Sequence, residues 1–282
     1  MTNSHITRLS LTSLIVAFLA GASPVQGQSS SASAEQPNAP KEADGSRPTV
    51  VLVHGAFADA ASWNGVVELL QTEGVQVIAP ANPLRGITID SAYIASLLDQ
   101  IPGPVLAVSH SYGGAVISNA AIDAENVVGL VYVAAFAPDE GETLGGIEQD
   151  SRDSVLNTAL VEFRYPTGQG AETAVEFAID PAKLHDAFAA DLPAERAAVM
   201  AATQRPVAEL AFSEVSGAPP WKNLPSWAVI PNGDKAAGTD VLRTMAERAG
   251  ATITEVEGSH VIMISQPQIV VDVILTALEE VE

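Results

Sequence analysis

Short runs of β-branched and aliphatic residues recur along the chain and limit the folds it can adopt. The first run, residues 49–53, is almost continuously apolar, which is typical of a strand buried on both faces of a parallel sheet. Segments with apolar residues at helical spacing separate most of the runs. The later runs lie at residues 75–79, 105–108, 127–135, 226–230 and 252–256. The alternation predicts an α/β fold with a doubly wound, mostly parallel sheet, whose ligand crevice lies beyond the carboxyl ends of its strands.

The segment at about residues 139–223 interrupts this alternation. It contains helix-like stretches at residues 181–192 and 194–203 but no run typical of a buried strand. At about 85 residues it is longer than one crossover connection needs. We therefore expect an inserted helical cap within one large domain at residues 48–282. Apolar cap side chains are candidates for a substrate pocket or for ordinary cap core: Phe163, Phe177, Leu184, Phe188 and Leu192.

The first 47 residues have a different composition from the rest. Arg8 precedes an apolar run at residues 9–22, and small residues suited to cleavage follow, so residues 1–27 are predicted to be a signal peptide. A retained anchor is the alternative, but the run is shorter than the roughly 20 apolar residues that a span needs. Residues 28–47 are rich in Ser, Ala, Pro and Glu and are predicted to form a disordered linker. These features predict a secreted or periplasmic protein with no stable membrane insertion after cleavage.

Charge and cysteine content exclude several classes of function. The chain has 13 basic and 34 acidic residues, a net charge of -21, and would repel nucleic acid. It has no cysteine, so disulfides, zinc-thiolate sites, iron-sulfur clusters and cysteine nucleophiles are all excluded.

A candidate nucleophile follows the predicted strand at residues 105–108. The sequence continues Ser109-His110-Ser111-Tyr112-Gly113-Gly114 and then takes on a helical pattern. A serine on a sharp strand-to-helix turn needs small residues two positions away, and Ser109 and Gly113 meet that need. Ser109 replaces the first glycine of the usual G-x-S-x-G pattern and places an extra side chain in a tight corner. The pattern predicts that Ser111 is a nucleophile.

Activating a serine takes a histidine base and a carboxylate that orients it. His260 lies in a loop after the strand at residues 252–256, and Asp234 directly follows the strand at residues 226–230. The order Ser, Asp, His at strand ends indicates a triad of Ser111, Asp234 and His260. The alternative acid is Asp139, which follows the strand at residues 127–135.

An oxyanion hole takes two backbone N–H donors. Tyr112 is expected to supply one, as the residue after the nucleophile, and Ala56 the other, from the loop after the first strand. Gly55 lets the backbone of that loop turn close to the crevice, and His54 is expected to brace it.

The mature domain resembles the α/β-hydrolase superfamily in the stretches just described. Shorter motifs resemble compact bacterial esterases related to plant methyl esterases and hydroxynitrile lyases: Ala60-Ala61-Ser62-Trp63, Asn82-Pro83-Leu84-Arg85-Gly86 and Val131-Tyr132-Val133-Ala134-Ala135-Phe136. The resemblance implies that no cofactor or metal is used. In the lyases, the resemblance implies a threonine at the position of Gly55 and a lysine at that of Val261, so a lyase activity is less favoured here. Dehalogenases and epoxide hydrolases of this superfamily carry an aspartate nucleophile at the position of Ser111, so those activities are disfavoured too.

The sequence therefore predicts a serine hydrolase that cleaves small carboxylic esters. Open alternatives are a non-catalytic binding protein of the same fold, or a hydroxynitrile-lyase-like, amidase, lactonase or perhydrolase activity on the same triad. Arg85 is expected to be solvated or salt-bridged and to lie outside the site.

Overall fold

A computed structural model describes residues 47–168 and 170–282. The signal peptide predicted at residues 1–27 lies outside these residues, as does the linker predicted at residues 28–47 except for Arg47. Arg47 donates a hydrogen bond to the carbonyl oxygen of Glu73 at 3.2 Å. Across the described residues, no helix combines the length and the apolar character that crossing a membrane would require.

The described part of the chain contains nine strands and eleven α-helices. The strands are β1 (Thr49–Val53), β2 (Val77–Ile78), β3 (Val105–His110), β4 (Val127–Val133), β5 (Leu160–Pro166), β6 (Thr173–Ile179), β7 (Val207–Ala208), β8 (Ser226–Pro231) and β9 (Thr252–Val256). The helices are α1 (Asn64–Thr72), α2 (Ile87–Leu98), α3 (Gly113–Ala120), α4 (Leu144–Asp150), α5 (Leu156–Ala159), α6 (Leu184–Phe188), α7 (Ala194–Thr203), α8 (Leu210–Ser213), α9 (Thr239–Arg248), α10 (Ile262–Ser265) and α11 (Pro267–Val281).

Six strands form one parallel sheet in the order β2-β1-β3-β4-β8-β9. Every residue of β1, β3 and β8 is buried, which explains why these strands are apolar on both faces. Helices α1 and α11 pack against each other, and α2 packs against α3. The strand order reverses direction at β1, so the carboxyl ends of β1 and β3 border the crevice where such sheets bind ligands. The predicted doubly wound parallel sheet is confirmed.

The inserted segment differs from the prediction in one respect. It contains helices α4 to α8, but β5, β6 and β7 form a second, antiparallel sheet within it. The cap predicted to be helical therefore also contains a small antiparallel sheet. Most residues of β5 and β6 are exposed or only half-buried, so these strands lack the continuous apolar run by which the sequence identifies a buried strand.

Candidate active site

Ser111 lies on the sharp turn between β3 and α3. Its backbone has φ = 53°, the left-handed region that a non-glycine residue enters only at a cost. Two hydrogen bonds to its carbonyl oxygen, from the N–H groups of Gly114 at 2.9 Å and Phe136 at 3.2 Å, hold it there. The Ser111 side chain is thereby presented at the carboxyl end of the central strand, where the sequence predicted the nucleophile.

Small residues beside Ser111 permit this turn. A Cβ on Gly113 would lie 2.5 Å from the carbonyl oxygen of Val53, so α3 can approach β1 only with glycine at that position. Ser109 fills the other small position. It is fully buried, and its hydroxyl donates to the carbonyl oxygen of Val131 at 3.2 Å. The neighbouring strand β4 thus accommodates the side chain that the usual glycine would lack.

His260 and Asp234 form a buried pair beyond the ends of β9 and β8. Nδ1 of His260 lies 2.6 Å from Oδ2 of Asp234, and both side chains are almost fully buried. Since a carboxylate only accepts, Nδ1 carries the proton and Nε2 is left as the basic atom. The other oxygen of Asp234 accepts from the N–H groups of Ala236 at 2.9 Å and Ala237 at 3.0 Å. The carboxylate is thus fixed in position and in turn orients the imidazole.

His110, the residue before Ser111, joins the turn that carries Ser111 to the loop that carries His260. Nε2 of His110 donates to the carbonyl oxygen of His260 at 2.9 Å, and the two rings lie 4.6 Å apart between centroids. Burial holds the pKa of His110 well below its usual value, with a further contribution from the His260 charge, so the ring is neutral. Among the described residues, neither Ser111 Oγ nor His260 Nε2 has a hydrogen-bond partner. A serine-to-histidine hydrogen bond therefore requires these two groups to change their relative position.

The loop after β1 packs directly against Ser111. A Cβ on Gly55 would lie 2.6 Å from Cβ of Ser111 and 2.9 Å from the carbonyl oxygen of His110. The next residue, Ala56, is buried, as is Tyr112. In the described part of the chain, neither the Ala56 nor the Tyr112 N–H donates a hydrogen bond. Two unused donors therefore lie in the segments that flank Ser111.

His54 connects this loop to two other segments. Its Nδ1 donates to the carbonyl oxygen of Gly55 at 2.9 Å, and its Nε2 accepts from the N–H of Asn82 at 2.9 Å. Arg205 of the inserted segment donates to the carbonyl oxygen of Asn82 at 3.1 Å. Burial lowers the pKa of His54 to about 4, so the ring is neutral at neutral pH and can accept as well as donate.

Tyr112 is held through its side chain as well. Its hydroxyl donates to Oδ2 of Asp90 at 2.7 Å, and the Asp90 carboxylate also accepts from the N–H of Arg85 at 3.0 Å. Burial raises the pKa of Asp90 above its usual value, although these hydrogen bonds oppose the shift. This link fixes the residue whose N–H was predicted to enter the oxyanion hole.

Asp139 and Arg85 form ion pairs with residues other than His260. Asp139, the alternative acid, binds Lys222 at 2.5 Å on the surface, while the His260 ring is bonded to Asp234. Arg85 pairs with Glu176 at 2.7 Å and lies over the ring of Tyr165 at 4.5 Å, so the salt-bridged state expected for it is confirmed.

The inserted segment contacts the His260 loop at two points. The ring of Phe188 lies 4.9 Å from that of His260 between centroids, and the hydroxyl of Ser259 bonds to Asp191. Of the five cap residues considered from the sequence, Phe163 is 51% exposed, whereas Leu184, Phe188 and Leu192 are buried. The cap therefore shields the histidine chiefly through Phe188.

Sequence reasoning missed the hydrogen bond from His110 to the His260 loop and the burial of Glu148. His110 was set aside as part of the serine motif, and its partner lies 150 positions away in the chain. Glu148 could have been noticed, because it lies four residues after the buried Leu144 on the same face of a short helix. Among the described residues, no group of three or more His, Cys, Asp or Glu side chains is arranged to hold a metal ion.

Comparison with known proteins agrees with this architecture. A sequence model described as "Alpha/beta hydrolase family" matches residues 50–273. A pyrethroid hydrolase from Sphingobium wenxiniae is 27% identical over 160 residues, which is 52% of this chain. The aligned region spans 56% of that relative's length.

Solved structures show the same fold. Polyneuridine aldehyde esterase superposes with a TM-score of 0.70 at 20% identity, covering 82% of this chain and 99% of that one. A methylesterase from Arabidopsis superposes with a TM-score of 0.68 at 18% identity, covering 83% and 99% of the two chains.

Proposed function

Because the chain belongs to the α/β-hydrolase family, we propose that it is a serine hydrolase that cleaves small carboxylic esters through an acyl-enzyme on Ser111. One observation carries the proposal: Ser111 occupies a left-handed turn at the carboxyl end of β3, and the His260–Asp234 pair is tied to that turn through His110. This is the arrangement that an activated serine needs. The names of the relatives support ester cleavage, since they include an esterase, a methylesterase and a pyrethroid hydrolase.

In the proposed first half-reaction, His260 Nε2 takes the proton of the Ser111 hydroxyl as Oγ attacks the ester carbonyl. Asp234 keeps the ring in the tautomer that can accept that proton and stabilises the imidazolium that forms. The C–O bond to the alcohol then breaks, and His260 returns the proton to the departing alkoxide. The acyl group remains on Ser111.

In the second half-reaction, water attacks the acyl-enzyme and gives a proton to His260, and Ser111 leaves with that proton restored. Each half-reaction passes through a tetrahedral oxyanion. The N–H groups of Ala56 and Tyr112 are the proposed donors to it, since neither has another acceptor in the described residues. Their positions are fixed by His54 on one side and by Asp90 on the other.

Hydrolysis of p-nitrophenyl acetate by the wild type and by Ser111→Ala tests the proposal. The variant should lose several orders of magnitude in kcat, because triad members act as a unit, and its circular dichroism should be unchanged. Ser96→Ala is a matched control, since Ser96 lies exposed on α2. Wild-type turnover by a folded Ser111→Ala protein would refute the proposal.

A further inference from the structure

The antiparallel sheet of the inserted segment has an open edge at β5. The strand order is β5-β6-β7, so β5 pairs with β6 on one side and, among the described residues, with no strand on the other. The middle of β5 faces solvent, since Glu162, Phe163 and Arg164 are all exposed, Phe163 to 51%. An open edge strand is a template for pairing with another chain, and proteins usually cover or disrupt one. β5 is therefore a surface on which a further strand can dock.

Every second residue of β5 turns its backbone groups away from β6. In an antiparallel pair, hydrogen-bonded positions alternate with non-bonded ones. Just outside the two ends of β5, the carbonyl of Ala159 and the N–H of Thr167 bond to the chain opposite, at 2.7 and 3.2 Å. Odd-numbered residues therefore bond to β6, and the N–H and C=O groups of Glu162 and Arg164 point outwards. Val175, opposite Arg164, agrees with this, because its carbonyl accepts from the N–H of the residue after β7 at 3.1 Å.

The outward groups of Glu162 and Arg164 have no acceptor or donor in the described part of the chain outside the β5–β6 ladder. We propose that two copies of this protein pair through β5 in an antiparallel, two-fold arrangement, in which these groups bond to each other across the axis. Such pairing joins the three-stranded sheets of the two copies into one continuous sheet. The proposal concerns the surface of the inserted segment and does not depend on the chemistry at Ser111.

Charge selects one register for this pairing. Outward residues must face outward residues, so near the middle of the strand the two-fold axis passes through Glu162, Phe163 or Arg164. An axis at Glu162 or at Arg164 places two like charges directly opposite each other, which is destabilising. An axis at Phe163 places Glu162 of each copy opposite Arg164 of the other. These two side chains already bond within one copy at 3.2 Å, so the charges of both copies would form one network of alternating sign.

The other face of β5 fits the same register. The side chains of Val161, Phe163 and Tyr165 lie on the face opposite to that of Glu162 and Arg164. With the axis at Phe163, the two Phe163 rings face each other, and Val161 of each copy lies opposite Tyr165 of the other. Pairs of aromatic residues, and of an aromatic with a β-branched residue, stabilise strand pairing. Apolar pairs on one face and opposite charges on the other thus favour a single arrangement.

The pairing is expected to be weak and to depend on concentration. A contact made by one seven-residue strand from each copy is small beside the roughly 1,200–2,000 Å² of a standard interface. Pro166 has no N–H, so the ladder lacks a donor at each end. The net charge of -21 on each copy also opposes association. We therefore expect a monomer–dimer equilibrium with a Kd of about 1–100 μM.

Sedimentation velocity of the wild type and of two charge reversals tests the proposal. Between about 1 and 200 μM the wild type should show a species of twice the monomer mass that grows with concentration. Glu162→Arg and Arg164→Glu should each raise the Kd at least about tenfold, because each places like charges opposite each other. The two substitutions shift the net charge in opposite directions, so net charge alone cannot weaken the dimer in both.

Two rescues distinguish loss of pairing from loss of folding. The double variant Glu162→Arg/Arg164→Glu has opposite charges facing each other again and should dimerise like the wild type. An equimolar mixture of the two single variants should form a mixed dimer, because every facing pair then has opposite charges. Glu280→Arg is the matched control for net charge at an exposed position of α11, and its Kd should stay close to that of the wild type.

Hydrogen exchange locates the interface. In the concentrated wild type, the amides of Glu162 and Arg164 should exchange more slowly than in a dilute sample, because pairing gives their N–H groups acceptors. A wild type that stays monomeric up to about 200 μM would overturn the proposal. So would an undiminished dimer in both charge reversals, a double variant that does not recover, or a dimer without added protection in the β5 peptide. Each of these outcomes leaves the proposed function standing, because that function is tested by Ser111→Ala.

Discussion

The imidazole of His110 donates a hydrogen bond from Nε2 to the backbone carbonyl of His260 at 2.9 Å. His110 immediately precedes Ser111, so this one bond ties the turn that carries the proposed nucleophile to the loop that carries the proposed base. Both rings belong to the same buried cluster as Phe188. The relative position of the proposed nucleophile and the proposed base is therefore fixed by a neighbouring residue with no proposed part in the chemistry.

Removing this bond should impair catalysis while leaving substrate binding intact. His110→Leu removes the donor, and we expect kcat to fall about tenfold or more as His260 shifts, with stability lowered by about 1–3 kcal/mol because a buried carbonyl loses its partner. His110→Gln keeps an N–H donor at a similar reach and should recover much of kcat. Steady-state kinetics with p-nitrophenyl acetate measure both. A raised KM with unchanged kcat in His110→Leu would contradict the positioning role.

Asp234→Asn should leave the fold intact and nearly abolish activity. An amide at this position can donate to Nδ1 of His260, which favours the wrong tautomer, and we expect a loss of about 10⁴-fold in kcat. Asp139→Asn is the matched control, because Asp139 binds Lys222 instead. Equal effects of the two substitutions on p-nitrophenyl ester turnover would show that Asp234 is not the orienting acid.

Gly55→Ala should displace the loop that carries Ala56. The added Cβ would lie 2.6 Å from Cβ of Ser111, a distance that requires something to move. Losing one donor to the oxyanion typically costs about 10²-fold in kcat, and we expect a loss of that order. Gly65→Ala in α1 places its Cβ 3.3 Å from Pro267 and serves as the control. Full activity in Gly55→Ala would argue against an oxyanion hole at this loop.

His54 should make the protein less stable in acid. Its pKa is about 4 when folded and 6.5 ordinarily, so the unfolded chain binds the proton more strongly. Stability contributed by the neutral ring is present above pH 6.5 and is lost as the pH falls towards 4, by about 2–3 kcal/mol. Urea unfolding of the wild type and His54→Gln at pH 7.5 and 4.5 tests this. The wild type should exceed His54→Gln in free energy of unfolding by about 2–3 kcal/mol less at pH 4.5 than at pH 7.5. The same difference at both pH values would contradict the pKa shift.

The sequence predicted the strands that are buried on both faces and their order along the chain. β1, β3 and β8 are buried on both faces, so their apolar runs identify them, and chain order places Ser111, Asp234 and His260 at strand ends. The antiparallel strands β5 and β6 escaped prediction because they are half-exposed and gain stability from pairing with each other.

Contacts between distant segments could not be predicted from the sequence either. The bond from His110 to His260 depends on how the loop after β9 folds back over the sheet. No periodicity in the chain encodes that path. The buried position of Glu148 on α4 was the one such feature that its spacing from Leu144 could have indicated.

Labelling with a fluorophosphonate tests the central claim most directly, because this reagent reacts with a serine only when a base activates it. The account predicts one adduct per chain, seen by intact mass spectrometry and mapped to the peptide that contains Ser111. Labelling should be lost in His260→Ala. A folded wild-type protein that stays unlabelled, or one labelled at another serine, would contradict it.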